Sequence, residues 1–208
     1  KLSDRMAAKL KGGGDREFYA TGVSLVIHPQ NPFVPTVHMN IRYLERGGNQ
    51  WFGGGIDLTP YYPYKPDIIT FHKQLKAVCD KHDPAYYPEF KKKCDEYFFI
   101  KHRNEARGVG GIFFDYLSDN LEKTFQFVLD VGNTFNGLYI PFLSSYKKKT
   151  YSDKQKEFQQ IRRGRYVEFN LVYDRGTLFG LETKGRIESI LMSLPPQVFW
   201  KYNHQSEP

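Results

Sequence analysis

Three polar side chains occupy alternate positions of one short, otherwise apolar segment. Residues 36–44 read Thr-Val-His-Met-Asn-Ile-Arg-Tyr-Leu. In an extended strand, successive side chains point to opposite faces, so His38, Asn40 and Arg42 share one face at a spacing of roughly 7 Å. An acid/base group, an amide and a fixed cation in one row predict a site on a β-sheet for an anionic organic ligand.

A carboxylate follows an unusual run of glycines. Residues 50–59 read Gln-Trp-Phe-Gly-Gly-Gly-Ile-Asp-Leu-Thr. Three glycines inside a strand indicate either a bulge or sharp bend, or the close approach of a flat ligand to bare backbone. Asp57 is accordingly either a turn cap or a buried functional carboxylate, and we take it as the best candidate for the latter.

Arginines recur near glycine turns. A guanidinium binds a carboxylate through two parallel hydrogen bonds, so repeated arginines suit a ligand with several carboxylates, although some will pair with acidic side chains of the protein. The arginines in question are Arg103, Arg107, Arg162, Arg163, Arg165, Arg175 and Arg186.

Composition sets the class of protein. The chain has 208 residues, of which 40% are hydrophobic, so it can bury a core as one domain. Its net charge of +7 favours an acidic partner: nucleic acid, an anionic membrane, or a polycarboxylate or phosphate metabolite. Charge alone does not choose among these, and nucleic acid is a weak default, because the lysine runs 91–93 and 147–149 are typical of solvated faces. Two cysteines and no apolar run of membrane-spanning length favour a reducing, soluble compartment.

Common catalytic signatures are missing. The sequence has no G-x-S-x-G elbow and no Walker lysine motif, so a phosphate cradle is not supported. His28, His38, His72 and His102 are far apart in sequence, and their spacing is not diagnostic of a metal site. His72 is equally typical of a partly buried helix residue, and His102 of a helix end.

The hydrophobic patterns predict an α+β fold with a large antiparallel sheet, flanked by helices on both faces, and a ligand cleft between sheet and helices. Residues 1–17 are expected to be a mobile or incomplete segment, and residues 18–208 a single catalytic domain. Predicted strands are 22–28, 36–44, 50–59, 108–115, 165–174 and 187–194. Predicted helices are 67–81, 84–99, 121–139 and 155–162.

Five segments together resemble one enzyme family, oxygen-dependent coproporphyrinogen III oxidase. They are Phe-Tyr-Ala-Thr-Gly-Val-Ser-Leu-Val-Ile-His-Pro (18–29), Pro-Thr-Val-His-Met-Asn-Ile-Arg-Tyr (35–43), Trp-Phe-Gly-Gly-Gly-Ile-Asp-Leu-Thr-Pro (51–60), residues 97–115 and residues 163–177. The resemblance runs in order from about Phe18 to Lys201.

The resemblance implies oxidative decarboxylation of two propionates of coproporphyrinogen III to vinyl groups, giving protoporphyrinogen IX in haem synthesis. Dioxygen would be the co-substrate, with no organic cofactor, and carbon dioxide and hydrogen peroxide would leave. A substrate with four carboxylates accounts for the arginines without nucleic acid. The alternatives are a non-catalytic protein that binds anionic tetrapyrroles, and a metal-dependent hydrolase built on the histidines.

Matching motifs carry roles onto this chain. Substrate contacts would come from Ser24, Asn40, Ile41, Arg42, Gly185 and Arg186. His38 would be the proton donor, and Asp57 would hold pyrrole N–H groups and assist their deprotonation, since an ionised carboxylate only accepts hydrogen bonds.

The resemblance leaves a metal open. Bacterial members are described with a divalent metal on histidines matching His28, His38, His72 and His102, whereas other members are considered metal-free. It also implies a homodimer formed through Tyr166 to Lys201, which an exposed strand edge would serve. The location would be cytoplasmic, as in bacteria, or the mitochondrial intermembrane space in a eukaryote, with no transmembrane segment.

Overall fold

The computed structural model of the protein describes residues 7, 16–182 and 186–204. The strands are β1 (Tyr19–Ile27), β2 (Thr36–Arg46), β3 (Asn49–Thr59), β4 (Phe99–Ile100), β5 (Glu105–Ala106) and β6 (Gly111–Leu117). The helices are α1 (Lys65–Asp80), α2 (Tyr86–Tyr97), α3 (Leu121–Tyr146), α4 (Asp153–Val172), α5 (Arg175–Glu182) and α6 (Ile187–Leu191). A short 3₁₀ helix covers Lys101–Arg103. Most of the segment 1–17 lies outside the described residues, as does the stretch 183–185.

The main sheet is antiparallel, with strand order β1-β2-β3-β6. The hairpin between β2 and β3 turns at Gly47 and Gly48, whose φ angles of 51° and 75° favour glycine because a Cβ atom is strained there. The register pairs His38 with Asp57 and Asn40 with Gly55. The predicted α+β class and its antiparallel sheet are therefore confirmed.

One face of this sheet is apolar and forms the main core. Met39, Ile56 and Ile112 lie on it, and α1, α2 and α3 pack over it. The rings of Phe90 and Phe114, 5.4 Å apart between centroids, belong to an aromatic group at its centre. All three helices were predicted, but α3 continues through Pro141 to Tyr146 rather than ending at Tyr139.

The predicted strand at 165–174 is wrong, because α4 runs without interruption from Asp153 to Val172. Ser152 begins the helix with a capping box shared with Gln155. The alternation of Tyr166 to Tyr173 that suggested a strand coexists with helical spacing: Tyr166, Phe169 and Asn170 are buried on one side of α4. Tertiary burial decides between the two periods.

The predicted final strand at 187–194 is also wrong. Its first residues form α6, and Ile187, Ile190 and Leu191 fit a helical period as well as an extended one. The C-terminal third of the described chain is thus mainly helical, and α4, α5 and α6 face the polar side of the sheet. None of the described helices is both long and apolar enough to cross a membrane.

Candidate active site

A cavity of about 870 Å³ opens between the polar face of the sheet and the helices α4, α5 and α6. This volume lies within the range of pockets that take small organic ligands, roughly 300–1,000 Å³. Its lining combines aromatic side chains with a few charged and amide groups, which is the composition of a site that orients a ligand.

The row predicted from the sequence lines this cavity. His38, Asn40 and Arg42 all contribute to its surface, and Ser24 joins them from β1, where it pairs in register with Asn40. Arg42 Nη1 donates to Asn40 Oδ1 at 2.7 Å, so the amide orients the guanidinium.

Of the other three predicted substrate contacts, the two that the structure describes do not share this surface. The side chain of Ile41 points to the opposite face and packs against the core, which leaves only its backbone near the cavity. Arg186 is exposed just before α6 and is not part of the cavity lining. Gly185 lies outside the described residues.

Asp57 lies behind His38 rather than on the cavity surface. Its residue is 3% exposed, and both carboxylate oxygens already accept hydrogen bonds. His38 Nδ1 donates to Oδ1 at 2.9 Å, and Arg107 Nη2 donates to Oδ2 at 2.6 Å. A carboxylate in this position orients the imidazole. Because Nδ1 carries the proton that is donated to Asp57, Nε2 is the ring nitrogen left for a ligand.

The charge of Asp57 is set by these two partners. Burial by itself would raise its pKa, but the Arg107 guanidinium and the hydrogen bond from His38 outweigh burial and hold the pKa below its ordinary value. Asp57 is therefore an ionised, fixed acceptor at neutral pH.

Arg107 belongs to the predicted arginine cluster, but nothing in the sequence assigned it to this carboxylate. Its guanidinium carbon lies 4.0 Å from the ring centroid of Phe98 and 4.3 Å from that of Tyr166. Nη1 donates to Asn170 Oδ1 at 3.0 Å, whereas Nε is buried without a hydrogen-bond partner. Cation–π contacts and a paired carboxylate together make such a deeply buried cation tolerable.

A second arginine that the sequence did not single out as a contact, Arg175, reaches the cavity from the start of α5. Its guanidinium lies over Tyr97, whose ring stacks on Phe113 at 4.5 Å. The Tyr97 hydroxyl donates to Asp174 Oδ1 at 2.8 Å. The sequence signal was its place among the arginines near glycine turns, without an individual role.

The structure shows the bulge that was considered for the glycine run and brings one of its glycines to the cavity. The pairing of β3 with β6 is irregular between Phe52 and Gly54, as in a bulge. Gly55 also lines the cavity, where the backbone is bare.

The four candidate metal ligands are dispersed. His28 Nε2 donates to Ser193 O at 2.9 Å, and burial lowers the pKa of His28 to about 4. His72 bonds Val109 O and the Tyr87 hydroxyl beside the apolar core, and burial lowers its pKa as well.

His102 occupies the 3₁₀ helix, where its two nitrogens contact the Tyr173 hydroxyl at 2.8 Å and Glu168 Oε1 at 3.2 Å. Within the described residues no three His, Cys, Asp or Glu side chains are grouped to hold a metal. The four histidines therefore do not fit one divalent-metal site within a single chain.

Comparison with known proteins points to one family. The family model described as Coproporphyrinogen III oxidase matches residues 1–208. The chain is 57% identical over 213 residues to an oxygen-dependent coproporphyrinogen-III oxidase of Francisella philomiragia, covering 100% of this chain and 69% of that protein. It is 55% identical over 214 residues to the enzyme of the same name from Francisella tularensis subsp. holarctica, covering 100% of this chain and 70% of that protein.

Proposed function

Because the chain belongs to the coproporphyrinogen III oxidase family, we propose that it oxidatively decarboxylates two propionates of coproporphyrinogen III to vinyl groups, with dioxygen as the oxidant. The product is protoporphyrinogen IX, and the role is in haem synthesis. The observation that carries this proposal is the cavity whose surface joins the cation of Arg42 to the imidazole of His38.

The reaction balances without an organic cofactor. Each propionate loses carbon dioxide from its carboxylate and a hydrogen with two electrons from the carbon next to the ring. Dioxygen takes those two electrons and, with that hydrogen and one further proton, becomes hydrogen peroxide. One proton is therefore consumed at each ionised propionate, and a group able to deliver and recover protons is needed in the cavity.

His38 is the side chain placed for that proton transfer. Its Nδ1–H is fixed by Asp57, so Nε2 is the ring nitrogen that exchanges a proton with the ligand. The ionised Asp57 stabilises the imidazole when it carries the extra proton, and Arg107 keeps Asp57 ionised in its buried position. Asp57 thus acts through His38. To hold pyrrole N–H groups directly, the Asp57 carboxylate would have to accept them at lone pairs that His38 and Arg107 do not use.

Arg42 is positioned to bind a propionate. Its side chain is 30% exposed, and its register partner on β3 is Gly53, which carries no side chain. A guanidinium that retains unused donors forms a bidentate pair with a carboxylate, which fixes both position and orientation. Asn40 and Ser24 add polar groups along the same wall.

A homodimer formed through Tyr166 to Lys201 remains part of this proposal. The expected strand edge is not present there, since the described part of that region is mainly helical, but exposed apolar side chains support an interface. Met192 is 78% exposed and Trp200 is 58% exposed. Light scattering coupled to size exclusion tests it, and a monomer at micromolar concentration would count against it.

The decisive assay is the turnover of reduced coproporphyrin in air and under anaerobic conditions, read by product fluorescence after oxidation. We expect product only in air, with one carbon dioxide and one hydrogen peroxide released per vinyl group. Tight binding without product, in air, would instead support the non-catalytic tetrapyrrole-binding protein.

Variants connect the activity to this cavity. Arg42→Gln removes a charge-assisted carboxylate contact and is expected to lower kcat/KM about 10- to 100-fold. The matched control is Arg162→Gln, because Arg162 pairs with Glu105 outside the cavity lining. Equal turnover in Arg42→Gln and the control would remove the site from the proposal.

A further inference from the structure

Asp115 lies between two arginines at the cavity surface. Arg42 Nη2 is 3.3 Å from its Oδ1, and Arg175 Nη2 is 3.8 Å from its Oδ2. The side chain of Asp115 is 18% exposed, against 30% for Arg42 and 59% for Arg175. The three residues come from β6, β2 and α5, so tertiary folding brings one carboxylate into reach of two cations.

The backbone around Asp115 departs from a regular strand. Tyr116 has a φ of 57°, a left-handed conformation that is costly for an aromatic residue. In this conformation the Tyr116 N–H donates to Asp115 Oδ1 at 3.1 Å. Strain of this kind persists where the surrounding structure imposes it, and it concentrates at functional sites.

The facing strand leaves room for the carboxylate. A Cβ atom on Gly53 would lie 2.6 Å from Asp115 Oδ1 and 3.0 Å from Arg42 Nη2, so only glycine accommodates this ion pair undisturbed. The irregular pairing of β3 with β6 occurs at the same position. Gly53, the bulge between β3 and β6, and the left-handed conformation of Tyr116 thus all lie beside the Asp115 carboxylate.

We propose that Asp115 is a positioning residue that acts as an internal counter-ion, occupying a place beside the substrate carboxylate and reducing the charge of the arginine pair from +2 to +1. One incoming propionate then neutralises the pair. The arginines keep donors for that propionate, since each guanidinium has five N–H groups. This inference rests on the proposed function, because it takes the ligand to be a tetrapyrrole with carboxylate side chains.

As a consequence, the negative charge of Asp115 limits the affinity of the arginine pair for carboxylates. A doubly positive pair would hold any carboxylate more tightly, including those the product retains, and would make binding more sensitive to salt. Asp115 weakens binding of substrate and product alike and favours exchange between them.

Asp115→Asn tests this role, because asparagine keeps the size of the side chain and the acceptor for the Tyr116 N–H. We expect the Kd of coproporphyrin III, measured by fluorescence titration at low salt, to fall about 3- to 10-fold, as one unit charge removed a few Å away in a partly solvated site implies. The salt dependence of Kd should steepen. KM for reduced coproporphyrin should fall by a similar factor, while kcat does not rise.

Asp119→Asn is the matched control, since it makes the same change of net charge at an exposed position before α3. Unchanged or weaker binding by Asp115→Asn, or a salt dependence equal to that of the control, would overturn the proposal. A merely structural role predicts weaker binding with unchanged salt dependence. The titration uses the oxidised porphyrin and needs no turnover, so an inactive protein that still shows the tighter binding would refute only the proposed function.

Discussion

Replacing Arg107 by methionine removes the cation from the most deeply buried ion pair described at the candidate site. The side chains of Arg107 and Asp57 are 2% and 4% exposed, and Nη2 lies 2.6 Å from Oδ2. Methionine retains contact with the rings of Phe98 and Tyr166 but leaves Asp57 without its counter-charge. Breaking one partner of such a pair costs about 3–5 kcal/mol of unfolding free energy, and we expect Arg107→Met to fall in that range.

The stability loss in Arg107→Met should depend on pH in a definite direction. In the wild type the pKa of Asp57 lies below its ordinary value, so its contribution to stability is complete at neutral pH and is lost as pH falls through the lowered pKa. Without Arg107, burial raises the pKa of Asp57 above the unfolded value, so the variant loses stability as pH rises through that raised pKa. The difference in unfolding free energy between wild type and Arg107→Met should therefore be larger at pH 7 than at pH 5.

Urea unfolding at pH 5 and pH 7, at one fixed protein concentration, measures both effects. The control is Arg162→Met, because the Arg162–Glu105 pair is 22% and 33% exposed and its loss should cost less than about 1 kcal/mol. A cost below about 1 kcal/mol for Arg107→Met, or a larger difference at pH 5 than at pH 7, would refute the account of the pair.

Four further variants test three separate features. In Gly53→Ala the new Cβ meets the flexible side chains of Asp115 and Arg42, so KM should rise and the unfolding free energy should fall by less than about 1 kcal/mol. In Gly55→Ala the new Cβ would lie 2.4 Å from a backbone oxygen of β6, so the loss should be larger, about 1–3 kcal/mol. The reverse ranking in urea unfolding would contradict this. His28→Gln should make the protein less sensitive to acid, because the pKa of His28 is lowered to about 4 and the wild type therefore loses on the order of 2–3 kcal/mol of unfolding free energy as pH falls from about 6.5 to 4. Equal midpoints of acid unfolding in the two proteins would contradict this. Asn120→Ala removes the N-cap of α3 and should lower the unfolding free energy by about 1 kcal/mol, measured by thermal melting at neutral pH. An unchanged melting temperature would show that the cap does not stabilise the protein.

Local periodicity predicted much of the sheet and its cavity-facing row. The shared face of His38, Asn40 and Arg42 follows from the two-residue period of any strand, whatever its neighbours. The turn at Gly47 and Gly48 and the helices α1, α2 and α3 likewise follow from residue type and helical spacing. The boundaries were less exact, as at α3, where packing carries the helix through Pro141.

The C-terminal third shows where such patterns fail. The segment Tyr166 to Tyr173 alternates like a strand and also repeats like a helix, and neither period is decisive by itself. Burial of Phe169 against Phe98 and Ile100 selects the helix, because that contact requires elements distant in sequence. The same ambiguity explains the error at Ile187 to Leu194.

The sequence by itself determined the family, the antiparallel sheet and the chemistry of one cavity wall, because these depend on residue identity and on the geometry of single strands. The tertiary structure alone decided that Asp57 is held by Arg107, 50 residues away, and that Asp115 stands between two arginines. It also separated the four histidines that the family resemblance had grouped as candidate metal ligands. Which charged groups meet depends on how strands and helices pack together, and that packing is a property of the whole chain.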